Sequence, residues 1–222
     1  MLKQIRVYWN ILLVRFGIRS IMPKDAMRMK EVRECGEVMI PIEKRDNLFL
    51  DRHPTHGRKS VVEKLYMVAA ELKKKGYGLH VFQIYRSPEE QAGRKESVRK
   101  ELRKSHPDLS QEDYERLVNL NVAGVGGGHQ SGGAVDLTIC DKDGNDLDMG
   151  TRYLEHNNKT ITESKHIESE QKLYRRILKE EMQRAGFINY PAEWWHYAYG
   201  DRMWAVYKNK GYAIYDNITF SF

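Results

Sequence analysis

The sequence predicts an α+β domain, and three observations carry that expectation. Helical signals dominate between residues 60 and 120, strand signals dominate at 134–140 and after 187, and no internal repeat is present. A doubly wound sheet would need strands and helices alternating along the whole chain, so segregated elements argue against it.

The first clear element opens at Ser60, where Ser60 and Glu63 read as a capping box. Val61, Leu65, Val68, Ala69 and Leu72 follow at helical spacing, and Lys73 to Lys75 with Gly76 give a basic last turn and a stop. Leu79 to Tyr85 is rich in β-branched and aromatic residues and short, so it reads as a buried strand ending at Arg86. Ser87, Pro88 and Glu90 start a second helix, with proline at the first helical position and glutamate three residues after the cap. Residues 88–104 are so charged that a solvated helix is the reading, in preference to a nucleic-acid groove binder. A short helix is expected from Ser110 to Leu120, a glycine-rich loop from Gly124 to Gly133, a strand from Ala134 to Cys140 and a turn at Asp141 to Asn145. Gln171 to Ala185 reads as a helix closed by Gly186. Phe187 to Phe222 is dominated by aromatic and β-forming residues, with turns at Gly200-Asp201 and Asn209 to Gly211, and predicts an antiparallel meander.

At 222 residues the chain fits one large domain. Hydrophobic residues make up 41% and charged residues 31%, a balance that predicts a wet surface, and the net charge of +6 raises the question of an acidic partner. No stretch approaches the roughly 20 apolar residues of a membrane-spanning helix. Met1 to Ile21 has basic residues ahead of an apolar run, but Asn10 and Arg15 confine that run to four residues, so an amphipathic arm is expected in place of an export signal. A cytoplasmic location is the default expectation, with periplasmic or wall-associated placement as the alternative. Cys35 and Cys140 cannot form a disulfide scaffold and read as two free thiols. We divide the chain into an N-terminal arm, 1–56, packed on the core, and a catalytic domain, 57–222.

The glycine-rich loop lacks the Lys-Ser/Thr ending of a phosphate cradle and runs into a strand where a phosphate site needs a helix. It does hold His129, with Asp136 seven residues on, and an imidazole and a carboxylate are both zinc ligands. Taken alone, that pair reads first as structural. Glu193-Trp194-Trp195-His196 is the second constellation. A catalytic zinc needs three protein ligands, an open position and a nearby carboxylate, which His196 and Glu193 could complete. Positions three apart face opposite sides of a regular strand, so both serve one site only through a helical turn or a kinked strand entry, for which Pro191 is suited. The alternative is a core strand with a buried glutamate and a hydrogen-bonded histidine. His53 and His56 read as a polar loop, and Met149 as core packing.

Together, His129-Gln130-Ser131-Gly132-Gly133-Ala134-Val135-Asp136 and Glu193-Trp194-Trp195-His196 resemble the H-x-x-G-x-A-x-D and E-x-W-H elements of the zinc D-alanyl-D-alanine dipeptidases and carboxypeptidases, nearest to the vancomycin-resistance type. Tyr85-Arg86-Ser87 and Leu147-Asp148-Met149-Gly150-Thr151 resemble two further elements of that family, so the likeness runs from about residue 58 to 207. The resemblance implies a hedgehog and D-Ala-D-Ala peptidase-like fold, an antiparallel sheet with helices packed on one side. It implies one zinc ion (Zn2+) per chain held by His129, Asp136 and His196, with Glu193 as the catalytic base and Arg86 stabilising the oxyanion. The implied substrate is D-Ala-D-Ala or a related short peptide from peptidoglycan, with no nucleic-acid partner. Two departures bear on specificity. Gly127 stands where the family commonly has a serine, which leaves Ser131 or backbone to contact substrate, and Tyr153-Leu154 followed by Glu155 replaces an aromatic-aspartate pair. Ser131, Tyr153 and Glu155 are therefore candidate substrate-binding residues. A carboxypeptidase acting on longer D,D- or L,D-muropeptides, or a zinc-bearing peptide-binding module without turnover, are the alternatives.

Overall fold

The computed structural model describes residues 24–51, 55–121 and 127–220. The expected arm at Met1 to Ile21, His53 and the first part of the glycine-rich loop lie outside them. Among the described residues, the order is α1 (Lys24–Arg28), β1 (Met39–Pro41), β2 (Leu48–Leu50), β3 (His56–Arg58), α2 (Lys59–Lys74), β4 (Gly78–Gln83), α3 (Pro88–Ser105) and α4 (Gln111–Asn121). A 3-10 turn (Gly128–Ser131), β5 (Ala134–Cys140), α5 (Ser169–Arg184), β6 (Ile188–Asn189), β7 (His196–Ala198) and α6 (Arg202–Tyr207) complete it.

The α+β expectation holds. Five strands form one sheet in the order β2-β4-β5-β7-β6, and β1 pairs with β3 in a separate ribbon. All neighbours in the main sheet are antiparallel except β2 and β4 at the edge, which run parallel. A parallel pair needs a crossover, and α2 supplies it. The edge strand β2 and the ribbon strand β1 both come from residues before 57, and Ile42 and Leu48 sit in the main core.

The core forms where α2 and α5 cover one face of the sheet. Val61, Leu65, Val68 and Leu72 of α2 and Leu178 and Met182 of α5 share one apolar cluster with Leu79, Val81, Val135, Leu137 and Ile139. All seven residues of β5 are buried, yet only its odd positions belong to that cluster. Because side chains alternate along a strand, Asp136 and Thr138 point to the opposite face.

Several local expectations change. Ser60 does not cap α2; Arg58 occupies the cap without a side-chain bond. The Ser60 amide and hydroxyl both donate to Glu37 Oε1, so a carboxylate 23 residues away does the capping. The predicted meander is overturned. The strands after 187 are two and three residues long, and α6 takes Arg202–Tyr207, because the Asp201 side chain caps the Trp204 amide and Met203, Ala205 and Val206 find burial on that short helix. By contrast, the Ser87 capping box on α3 is present in full, and Gln91 is the buried residue of that otherwise solvated helix. Cys35 and Cys140 are free thiols, and Met149 lies in the core.

Candidate metal centre and active site

His129 rides on the 3-10 turn before β5. Gly132 ends that turn at φ 71°, a left-handed conformation that favours glycine, and Met39 leaves no room there for a Cβ. The Ser131 hydroxyl donates to Gly128 O at 2.6 Å and accepts from the Gly133 amide at 3.1 Å. Arg58 holds the loop from below. Its amide donates to Gly132 O and its Nε to Ser131 O at 2.8 Å, while Glu34 accepts from both Nη atoms at 2.9 Å. Such a bidentate pair fixes geometry as well as charge.

The His129 ring is set by Nδ1, which lies 2.7 Å from Ile84 O. A carbonyl only accepts, so Nδ1 carries the proton and Nε2 keeps its lone pair. That Nε2 is 3.3 Å from Asp136 Oδ1. Asp136 pairs across the sheet with His196 at the start of β7, and His196 Nδ1 lies 2.8 Å from the same oxygen. One ligand atom from each of His129, Asp136 and His196 falls within 4.8 Å of the others. Two imidazoles and a carboxylate converging in this way form a donor set suited to a metal such as zinc, which takes three protein ligands at catalytic sites.

The electrostatics of His129 agree with that use. Burial pushes the His129 pKa down to about 4 against the pull of Asp136, so the ring is neutral near pH 7, as a ligand must be. Burial alone would raise Asp136, but His129 and His196 hold it well below the usual carboxylate range. For His196 burial works downward and Asp136 outweighs it, leaving a raised pKa.

Glu193 reaches the site through a kinked strand entry. Its amide donates to Tyr190 O and its carbonyl accepts from the His196 amide and from Asn189 Nδ2, a turn that breaks strand alternation just before β7. Burial is the main cause that raises the Tyr190 pKa and Asp136 the main cause that raises that of His196; the half-buried Glu193 carboxylate adds to both.

Arg86 flanks the other carboxylate oxygen, with Nη2 3.7 Å from Asp136 Oδ2. It is 7% exposed and held by neutral partners. Nε and Nη2 donate to Gln83 Oε1 and Nη1 donates to Gln91 Oε1 at 2.8 Å. A β-bulge between Val81 and Gln83 brings Gln83 opposite Asp136, onto the site face. Sequence reasoning missed both glutamines; only their nearness to Tyr85-Arg86-Ser87 could have flagged them.

The remaining expected residues take different places. Tyr153 donates its hydroxyl to Asp136 Oδ2 at 2.7 Å and stacks on Phe82 at 4.2 Å, so it orients that carboxylate. Its ring also lines a cavity of about 420 Å³ with Phe82, Thr138, Thr151, Glu155 and Trp194. Glu155 is exposed there and accepts from the Arg152 amide and Asn157 Nδ2. The Ser131 hydroxyl is used inside its own loop. His80 lies between Asp146 and Asp51.

Residues 44–218 match the model of a peptidase family described as D-ala-D-ala dipeptidase. A D-alanyl-D-alanine dipeptidase of Synechocystis sp. is 33% identical over 103 residues, 41% of this chain and 42% of that protein. A D-alanyl-D-alanine dipeptidase of Escherichia coli is 34% identical over 73 residues, 33% and 38% of the two chains. The matched region thus spans about two-fifths of the length of these curated relatives. Among solved structures, a vancomycin-resistance D,D-pentapeptidase in complex with Zn(II) aligns at a TM-score of 0.47 and 19% identity, over 78% of this chain and 90% of that one. An LD-carboxypeptidase aligns at 0.46 and 18%, over 80% and 76%.

Proposed function

The chain belongs to the D-ala-D-ala dipeptidase family, and on that premise we propose that it is a zinc metallopeptidase hydrolysing D-Ala-D-Ala or a related short peptide from peptidoglycan. The observation that carries this reading is the convergence of three ligand atoms within 4.8 Å, flanked by Glu193 and Arg86. One zinc ion per chain would be held by His129, Asp136 and His196. When bound, it would lower the pKa of a water to around 7 and polarise a carbonyl.

Each side chain then has a task. Glu193, whose carbonyl accepts from the His196 amide, takes a proton and returns it to the departing amine. Arg86 offsets the negative charge that develops on the carbonyl oxygen, an interaction worth about 3–4 kcal/mol in comparable oxyanion sites. Gln83 and Gln91 accept from the guanidinium without neutralising it. Tyr153 and the Ile84 carbonyl hold Asp136 and His129 in orientation, as hydrogen bonds to metal ligands do.

Glu155 favours a second reading within the same chemistry. Its carboxylate already accepts two hydrogen bonds in its own turn, and burying a substrate ammonium without a committed acid is costly. A carboxypeptidase acting on longer D,D- or L,D-peptides avoids that cost. Turnover of D-Ala-D-Ala against its N-acetyl form separates the two: preference for the free amine supports the dipeptidase, and preference for the acetylated peptide supports the carboxypeptidase. Failure to cleave either, or muropeptide stems, with a full zinc complement would sink both. Two free thiols fit a reducing compartment, and a cytoplasmic location is part of this proposal.

A further inference from the structure

The charged helix α3 carries a second arginine toward the site. Gln91 touches Arg86 at 2.8 Å, and Arg94 stands one turn further along the same helix face. Arg94 is partly buried, and among the described residues no hydrogen bond or ion pair reaches it. Its natural counter-charge would be Glu90, four residues back, but the Glu90 carboxylate is turned to the Ser87 amide at 2.8 Å in the capping box. Burial is the main cause that lowers the Arg86 pKa; Asp136 opposes it and the charge of Arg94 adds to it. The same charge is felt at Tyr153, where burial is again the larger influence. Arg94 therefore lies on the helix face that Gln91 turns to Arg86, and the carboxylate beside Arg86, Asp136, is committed to His196 and Tyr153.

We propose that Arg94 is a specificity-determining residue that binds the free carboxylate of the substrate's C-terminal residue, while Arg86 serves the scissile carbonyl. The inference rests on the peptidase reading above. Its geometry is that of a one-residue leaving group. In a peptide whose last bond is cut, the terminal carboxylate carbon lies three bonds from the scissile carbon, about 4 Å at most. Gln91 and Arg94, one helical turn apart, are separated by about 5–6 Å at their Cβ atoms, and Gln91 touches Arg86, so the long Arg94 side chain is within reach of a carboxylate while Arg86 serves the carbonyl. A planar guanidinium also matches a carboxylate through two parallel hydrogen bonds.

The test compares D-Ala-D-Ala with its C-terminal amide on the zinc-loaded wild type, Arg94→Gln and Arg94→Lys. Arg94→Gln should raise KM for the acid about 10- to 100-fold, the range expected for a lost charge-assisted hydrogen bond, and leave kcat nearly unchanged. It should leave the amide's kinetics alone, so the preference for acid over amide collapses, and Arg94→Lys should restore part of it. An unchanged acid-to-amide ratio in Arg94→Gln would overturn the proposal. A binding measurement separates this from failure of the peptidase reading. In zinc-loaded Glu193→Gln protein, calorimetric titration should give tighter binding of the acid than of the amide, and Arg94→Gln in that background should abolish the difference whether or not the wild type turns the peptide over. Equal binding of acid and amide before the second substitution is made would count against Arg94.

Discussion

The two faces of β5 serve different ends. Val135, Leu137 and Ile139 pack against α2 and α5 in the apolar core, while Asp136 and Thr138, one residue away in sequence, face the site. Both sets are buried, yet they are stabilised differently. The core face depends on area removed from water and has no required partner. The site face buries a carboxylate, which is tolerable only because His196, Tyr153 and Arg86 surround it. One strand thus separates folding from chemistry by the period-two rule, and substitutions on the two faces should separate in the same way.

The sharpest way to break that contrast is Asp136→Asn. It should eliminate stoichiometric zinc binding and reduce peptide turnover by several orders of magnitude, with the far-ultraviolet circular dichroism spectrum kept. Metal analysis and a turnover assay read this, and retained zinc at full occupancy would place the ligand elsewhere. On the other face, Leu137→Ala should cost about 2–5 kcal/mol in denaturant unfolding, as expected for a truncated core leucine, while the protein that remains folded binds zinc as before. Loss of zinc affinity in the folded fraction would mean that the two faces are coupled.

Asp201 extends the comparison to a buried acid with fewer partners. Burial raises its pKa to about 6, against the hydrogen bonds from the Trp204 and Met203 amides that pull it down. The folded state then binds more protons than the unfolded state between about pH 4 and 6, so Asp201 makes stability fall as pH rises through that window. The gap from 3.8 corresponds to about 3 kcal/mol once pH exceeds 6. Asparagine caps a helix as well as aspartate does. Asp201→Asn should therefore stabilise the protein by about 1–3 kcal/mol at pH 7.5 and by almost nothing at pH 4, as read by unfolding curves at both values. A loss of stability at pH 7.5 would show that the ionised cap is worth more than its burial costs. The smallest effect belongs to the solvated side of α3, where exposed Lys100→Ala should move stability by no more than about 0.5 kcal/mol and leave turnover unchanged.

What the sequence made legible follows the range of the interactions. The Ser87 capping box was readable because both partners lie within four residues, and the strand Ala134–Cys140 because its residue types alone bury it. The Ser60 box was misread because Glu37, distant in sequence, supplies the acceptor. The aromatic residues after 187 favour strands by composition, but Asp201 and the burial of Met203 and Val206 make a helix there, and composition cannot distinguish the two. At the candidate site, the resemblance of two motifs picked out His129, Asp136 and His196, and the structure brings them together. Gln83 and Gln91 were not legible as a pair, because a bulge in β4 and the packing of α3 against its end, neither visible in one-dimensional spacing, bring them to Arg86.

The two cysteines give the molecule a built-in clock. Cys35 is exposed, whereas Cys140 is fully buried at the end of β5, and its thiol pKa is pushed up to about 12. A thiol reagent at neutral pH should label Cys35 at once and wait on opening of the central strand for Cys140. The delay between the two events would time the strand's opening in unmodified protein, with each chain carrying its own zero point.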